Sequence, residues 1–150
     1  MTRVSKYPLH KDLKKEMFTV FWSSLSQLHT APDVAAFFSD LLSDTEEMML
    51  AKRFTISLLL LHGKRPVEVA AILHVSFSTI RSVDEWLSRA TPATKRLLER
   101  VSKVQGWQTV FDKVEALADQ LPPRWGTDWH ASGKAKWERK LQRAARSQLR

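Results

Sequence analysis

From Leu9 to Leu28 the bulky apolar residues Leu9, Leu13, Met17, Phe21, Leu25 and Leu28 fall three or four apart, the period of one helical face, and Phe18 and Trp22 widen the stripe. So apolar a helix needs a partner to cover it. Ala31-Pro32 breaks it and opens a short helix through Phe37, Phe38, Leu41 and Leu42. Ser43-Asp44-Thr45-Glu46 reads as a capping box, in which the serine serves one orphan N–H and Glu46 reaches back to another. The helix it starts runs through Met48, Met49, Leu50, Phe54, Ile56 and Leu58 to Leu61, with Gly63 as its C-cap. Apolar residues on nearly every side of Leu50 to Leu61 predict the central helix of the fold.

Residues 66–87, PVEVAAILHVSFSTIRSVDEWL, have the spacing of two short helices crossing at a tight turn. Val69, Ala70, Leu73, Val75, Ile80 and Val83 occupy the positions such a helix-turn-helix must bury. Pro66 suits the first turn of the first helix, where its missing N–H costs nothing, and Ser76 suits the N-cap of the second. His74 stands at the turn position where glycine is commonest because positive φ is needed there; histidine tolerates that region only moderately.

Downstream, Thr91-Pro92 predicts a helix over Ala93 to Val104 stopped at Gly106. Trp107 to Leu121 carries Val110, Val114, Leu117 and Leu121 on one face, and Pro122-Pro123 closes it. Trp125 to Gly133 reads as a loop. Lys134 to Leu149 reads as a basic helix with an apolar stripe of Trp137, Leu141, Ala145 and Leu149. There is no strand pattern and no internal repeat, so the fold class is all-α, a multi-helix domain over 1–121 with a Trp-containing basic extension over 122–150.

Composition narrows the function. The 150 residues, 43% of them hydrophobic, suffice for one domain with extensions. No run approaches eighteen apolar residues, no export signal is legible at the start, and the chain has no cysteine, so a cytoplasmic protein away from membranes is expected. The net charge of +8 makes polyanions the first partners to consider. Seven bases and one acid between Gly133 and Arg150 place most of that excess at one end, whereas Asp33 to Leu50 holds five acids and no base. The five histidines lack metal-ligand spacing, there is no glycine-rich phosphate loop, and Glu46-Glu47 is explained by capping. No metal, cofactor or catalytic site is expected.

The runs LSDTEEMMLAKR, LLLLHGK and VEVAAILHVSFSTI, with the Thr91-Pro92 helix start after them, resemble the tryptophan repressor family over roughly residues 20 to 105. The resemblance implies an all-helical, DNA-binding homodimer whose outer helices interlock. In the family's amino-acid-responsive member two arginines sandwich the indole and a glycine gives it room. One arginine falls on Arg53 and the hydroxyl that helps hold the amino acid falls on Ser43, but the second arginine falls on Ser82, the glycine on Val83, and a small serine on Trp86. The resemblance therefore implies a member without an L-tryptophan corepressor, with Ser43, Arg53, Val83 and Trp86 as a vestigial pocket and Trp86 as a built-in wedge. Arg53 has a second reading, as the structural partner of Glu46 or Glu47.

A recognition helix enters the major groove of double-stranded DNA by its N-terminal turns, which makes Ser76, Phe77, Ser78, Arg81, Ser82 and Glu85 the candidates. Arg81 matches guanine O6 and N7 with its fork, and is otherwise a solvated helix arginine. Phe77 fits either a thymine methyl or the core beneath the motif. Ser78 and Thr79 suit phosphate or water-mediated contacts. Lys64 and Arg65 precede the motif, where they meet a phosphate or merely solvate the turn.

The tail admits three readings: a helix docked on its own domain, a membrane-surface helix, or an arm on DNA phosphates. Its apolar face is narrow for a membrane, so the expectation is that the stripe docks while Lys136, Arg139, Lys140, Arg143 and Arg146 face phosphates. Two functions compete. One is a sequence-specific repressor-like regulator; the other is a nonspecific nucleic-acid binder or helical interaction module driven by the basic tail.

Overall fold

Eight α-helices and no strand occupy the described residues, 8–122 and 126–148, of the computed structural model, with backbone alone at Gln105 and Gln148. They are α1 (Lys11–Leu25), α2 (Ala31–Leu41), α3 (Asp44–Leu61), α4 (Pro66–Leu73), α5 (Phe77–Arg89), α6 (Pro92–Ser102), α7 (Gln105–Ala118) and α8 (Trp129–Gln148). Contacts divide the chain into two units between Ala51 and Lys52, so that α3 runs from one into the other.

In the first unit, α2 starts as a capped helix: the Thr30 hydroxyl accepts the Asp33 N–H at 3.3 Å. The box at the start of α3 is half formed. Glu46 reaches back to the Ser43 N–H at 3.1 Å, but the Ser43 hydroxyl donates to the same carboxylate at 2.8 Å instead of accepting an N–H. These two bonds, the backbone one foremost, hold the Glu46 carboxyl below its ordinary range. Neither α1 nor α2 contains a buried residue. Leu9 just before α1 and Leu13, Met17, Phe18 and Trp22 along it are all exposed, with Phe18 and Trp22 stacked at 6.3 Å between ring centroids.

In the second unit the core gathers around the last two turns of α3. Ile56, Leu58 and Leu59 are wholly buried, and Val69, Ile80, Val83, Leu87, Leu98 and Val114 complete the cluster from α4, α5, α6 and α7. Burying each such side chain contributes about 1.5–3 kcal/mol, which welds both helices of the helix-turn-helix to one hub. Gly63, at φ 71°, ends α3 by letting its own N–H reach the Leu60 carbonyl at 2.9 Å and the Lys64 N–H reach that of Leu59 at 3.0 Å.

Two boundaries correct the sequence reading. Gly106 does not stop a helix; α6 ends at Ser102, the chain turns at Lys103 and Val104, and Gly106 lies in the first turn of α7. Trp107 and Phe111 of α7 then pack beside the core, with Trp107 edge-on to Phe54 at 5.6 Å. The region after Gly126 is not all loop, because the Asp128 carboxylate accepts the His130 N–H at 2.8 Å and starts α8 at Trp129, five residues before the expected Lys134. No described helix is long and apolar enough to cross a membrane.

Candidate nucleic-acid interface

The helix-turn-helix is fixed at three points, the start of α4, the turn and the start of α5. Glu68 reaches back to the Arg65 N–H at 3.4 Å and takes the Arg65 Nε at 3.1 Å, anchoring the start of α4 on its Pro66. That carboxylate's hydrogen bond and charge raise the Arg65 pKa further above its ordinary value. His74 adopts the left-handed conformation its position demanded, φ 48° and ψ 56°, which carries the Val75 N–H onto the Ala70 carbonyl at 3.2 Å. Ser76 then caps α5: its Oγ accepts the Thr79 N–H at 3.3 Å and lies 2.8 Å from Ser78 Oγ and 2.9 Å from Thr79 Oγ1.

This geometry sorts α5 into two faces. Ile80, Val83 and Leu87 are buried, whereas Phe77, Ser78, Arg81, Ser82 and Glu85 are exposed and Thr79 is half-buried. Phe77 is 59% exposed, so of its two readings the outward one matches its placement. The Arg81 side chain is 83% exposed, with Nε donating to Glu85 at 3.0 Å. Such an i,i+4 pair is worth only about 0.3–0.5 kcal/mol, so Glu85 orients the guanidinium without locking it away.

The family model for the Trp repressor protein matches residues 16–102, from within α1 to the end of α6. The chain belongs to the Trp repressor family. Comparison with curated proteins and with solved structures gives no match. Within the matched segment lies the whole helix-turn-helix; α7 and α8 lie beyond the Trp repressor match.

The four residues that the resemblance assigns to a vestigial pocket belong to both units, Ser43 to the first and Arg53, Val83 and Trp86 to the second. Arg53 is exposed, Trp86 is 46% exposed, and Val83 is packed in the core of the second unit. In the first unit Glu46 is engaged by Ser43, and Glu47 by the Ser39 hydroxyl at 3.4 Å. Among the described residues no cluster of histidines and carboxylates could hold a metal ion.

The added helices reverse the expected orientation of the tail. Trp137 and Leu141 of α8 are exposed, and it is the bases that face α7. Arg139 and Arg143 each approach Asp119 to 2.7 Å, and Arg146 approaches Asp112 to 2.7 Å. Glu115 lies between them, 3.7 Å from Arg143 and 3.6 Å from Arg146, while Lys136 donates to the Leu121 carbonyl at 3.0 Å. Partial burial works against charge on Asp119, but the hydrogen bonds from Arg139 and Arg143 outweigh it and hold the carboxyl below its ordinary range. Of the five tail bases assigned to phosphates, Lys140 alone has no such partner among the described residues; its ammonium lies 5.7 Å over the Trp137 ring. Lys64 is likewise no solvated turn, since its Nζ sits 2.6 Å from Glu115.

The residues missed at the sequence level are therefore Asp112, Glu115 and Asp119. Their signal was present: spaced three and four apart, they form one acidic row on α7 that matches the spacing of the bases on α8.

Proposed function

We propose that this Trp repressor family member is a sequence-specific regulator of the repressor kind, which reads double-stranded DNA in the major groove through α5. The observation that carries the reading is the division of α5. One face is held by the core, while Phe77, Ser78, Arg81 and Ser82 on the first turns stand uncovered for base edges. Arg81 addresses a guanine, Phe77 a thymine methyl, and Ser76, Ser78 and Thr79 position the helix on the backbone. Arg65 contributes a phosphate contact beside the motif.

The exposed apolar row of α1 supports a homodimer, because a second copy is the partner the family uses to cover such helices. Two recognition helices then address half-sites about one DNA turn, roughly 34 Å, apart. A regulator of this kind works in the cytoplasm, without catalysis and without L-tryptophan. Serine and valine at 82 and 83 supply neither the second arginine nor the space of the family's responsive site. The tail-driven alternative is the weaker one, since the bases it relies on face α7 carboxylates in the free chain.

Selection of bound fragments from random duplexes tests the reading. A recurrent two-fold related motif supports it, and recovery of unbiased sequence refutes it.

A further inference from the structure

We propose that the α7–α8 contact is a releasable clamp: the carboxylates Asp112, Glu115 and Asp119 occupy a second polyanion site on α8, and duplex DNA phosphates displace them. The proposal deepens the DNA-binding reading above and rests on it.

The contact is built from charge rather than from apolar packing. Arg139, Arg143 and Arg146 of α8 run antiparallel along Asp119, the C-cap of α7, and Glu115 and Asp112 within that helix. No described residue of α8 belongs to the buried core, and its bulky apolar residues Trp129, Trp137 and Leu141 are all more than half exposed. The contact's outer pairs, with the Arg139 side chain 43% and that of Arg146 48% exposed, are weakened by salt and by competing ions, whereas Arg143–Asp119, 14% exposed on each side, is the pair that screening reaches least and the last to open. Lys64, Asp112, Glu115 and Arg146 also line an open cavity of about 380 Å³, so an incoming anion reaches Arg146 before the helices separate.

Charge density sets the direction of exchange. The three carboxylates span seven residues of helix, a rise of about 10.5 Å. Over the same length a duplex presents about six phosphate charges, one per roughly 1.7 Å of axis, and it also releases condensed counterions when bases bind. The α7 row is thus the weaker of two competing polyanions. It keeps the bases from anions of low charge density and yields them to a duplex already engaged by α5.

The chain's lack of cysteine permits a direct test on all 150 residues. Lys113→Cys on α7 and Gln142→Cys on α8, both exposed positions, carry a nitroxide pair whose separation is read by pulsed electron resonance. One narrow distance is expected in low salt. It should lengthen and broaden with inorganic polyphosphate and with the selected duplex. In parallel, Arg139→Gln/Arg143→Gln/Arg146→Gln should flatten the slope of log affinity against log salt by about 0.9 for each lost phosphate contact. A distance unchanged by saturating polyphosphate and duplex, with an unchanged salt slope, overturns the clamp. Opening by polyphosphate in a protein that binds no duplex refutes the DNA-binding reading and duplex as the displacer while leaving the releasable contact standing, whereas a contact that stays closed in a protein that binds duplex refutes the clamp alone, so the two failures are distinguishable.

Discussion

Two substitutions three residues apart on α5 should separate the stability of the fold from its recognition of DNA. Ile80 is 2% exposed within the core cluster, and Ile80→Ala deletes three buried carbons, worth roughly 2.4 kcal/mol at about 0.8 kcal/mol each. The cavity left within the core cluster, where close packing limits collapse, brings the expected cost to about 3–4 kcal/mol. Phe77 is on the other face, 59% exposed beside the N-cap, and Phe77→Ala should change stability by no more than about 1 kcal/mol. Urea unfolding of both variants, followed by circular dichroism, measures the first effect; duplex affinity under conditions where both remain folded measures the second. Ile80→Ala should move the unfolding midpoint and leave the affinity of the folded fraction near that of the parent, and Phe77→Ala should do the reverse. A loss above about 2 kcal/mol for Phe77→Ala, or below about 1 kcal/mol for Ile80→Ala, would refute the division of α5 into a core face and a reading face.

Sedimentation at micromolar concentration should give a dimer, and substituting Met17 and Trp22 of α1 by glutamate should dissociate it; a monomeric parent protein contradicts the covering of α1 by a second copy. Acid should release α8. Because the Asp119 carboxyl lies below its ordinary value in the folded chain, its contribution is complete above the ordinary aspartate range near pH 3.9 and is lost as pH falls through the lower folded value. The nitroxide separation should lengthen in that window and stay constant between pH 5 and 8, and a change near neutrality would show that another group governs docking. Calorimetric titration with L-tryptophan should give no heat of binding at micromolar concentration, and a micromolar site would show that Ser82 and Val83 still leave room for the ligand.

What the sequence made legible was local. Gly63 and His74 announced their left-handed conformations because a helix end and a tight turn each require one residue there. Ser76, Pro66 and the apolar set from Val69 to Val83 fixed the helix-turn-helix, since each residue's own chemistry agrees with its place. Gly106 was ambiguous, as glycine is tolerated in a first helical turn and also ends helices. Asp128 was a readable N-cap that the surrounding Trp125 to Gly133 segment, rich in turn formers, concealed. The tail posed a different problem. Helical periodicity sorts α8 into an apolar stripe and a basic side, but which side docks depends on what the partner helix offers. On α7 the outward row is acidic, so the bases docked and Trp137 and Leu141 of the stripe were left in solvent, Leu149 lying outside the described residues. Lys64 met the same row through Glu115, a contact across 51 residues that no local pattern encodes.

The central claim is that Arg81 reads a base rather than merely decorating a helix. Its direct test is the affinity of the parent and of Arg81→Ala for the selected duplex and for a set of its single-base variants at fixed salt. Arg81→Ala should lose about 1–3 kcal/mol per half-site on the selected sequence, with a discrimination that collapses at one base position while persisting at the others. Equal weakening on every duplex, or no weakening at all, would contradict it.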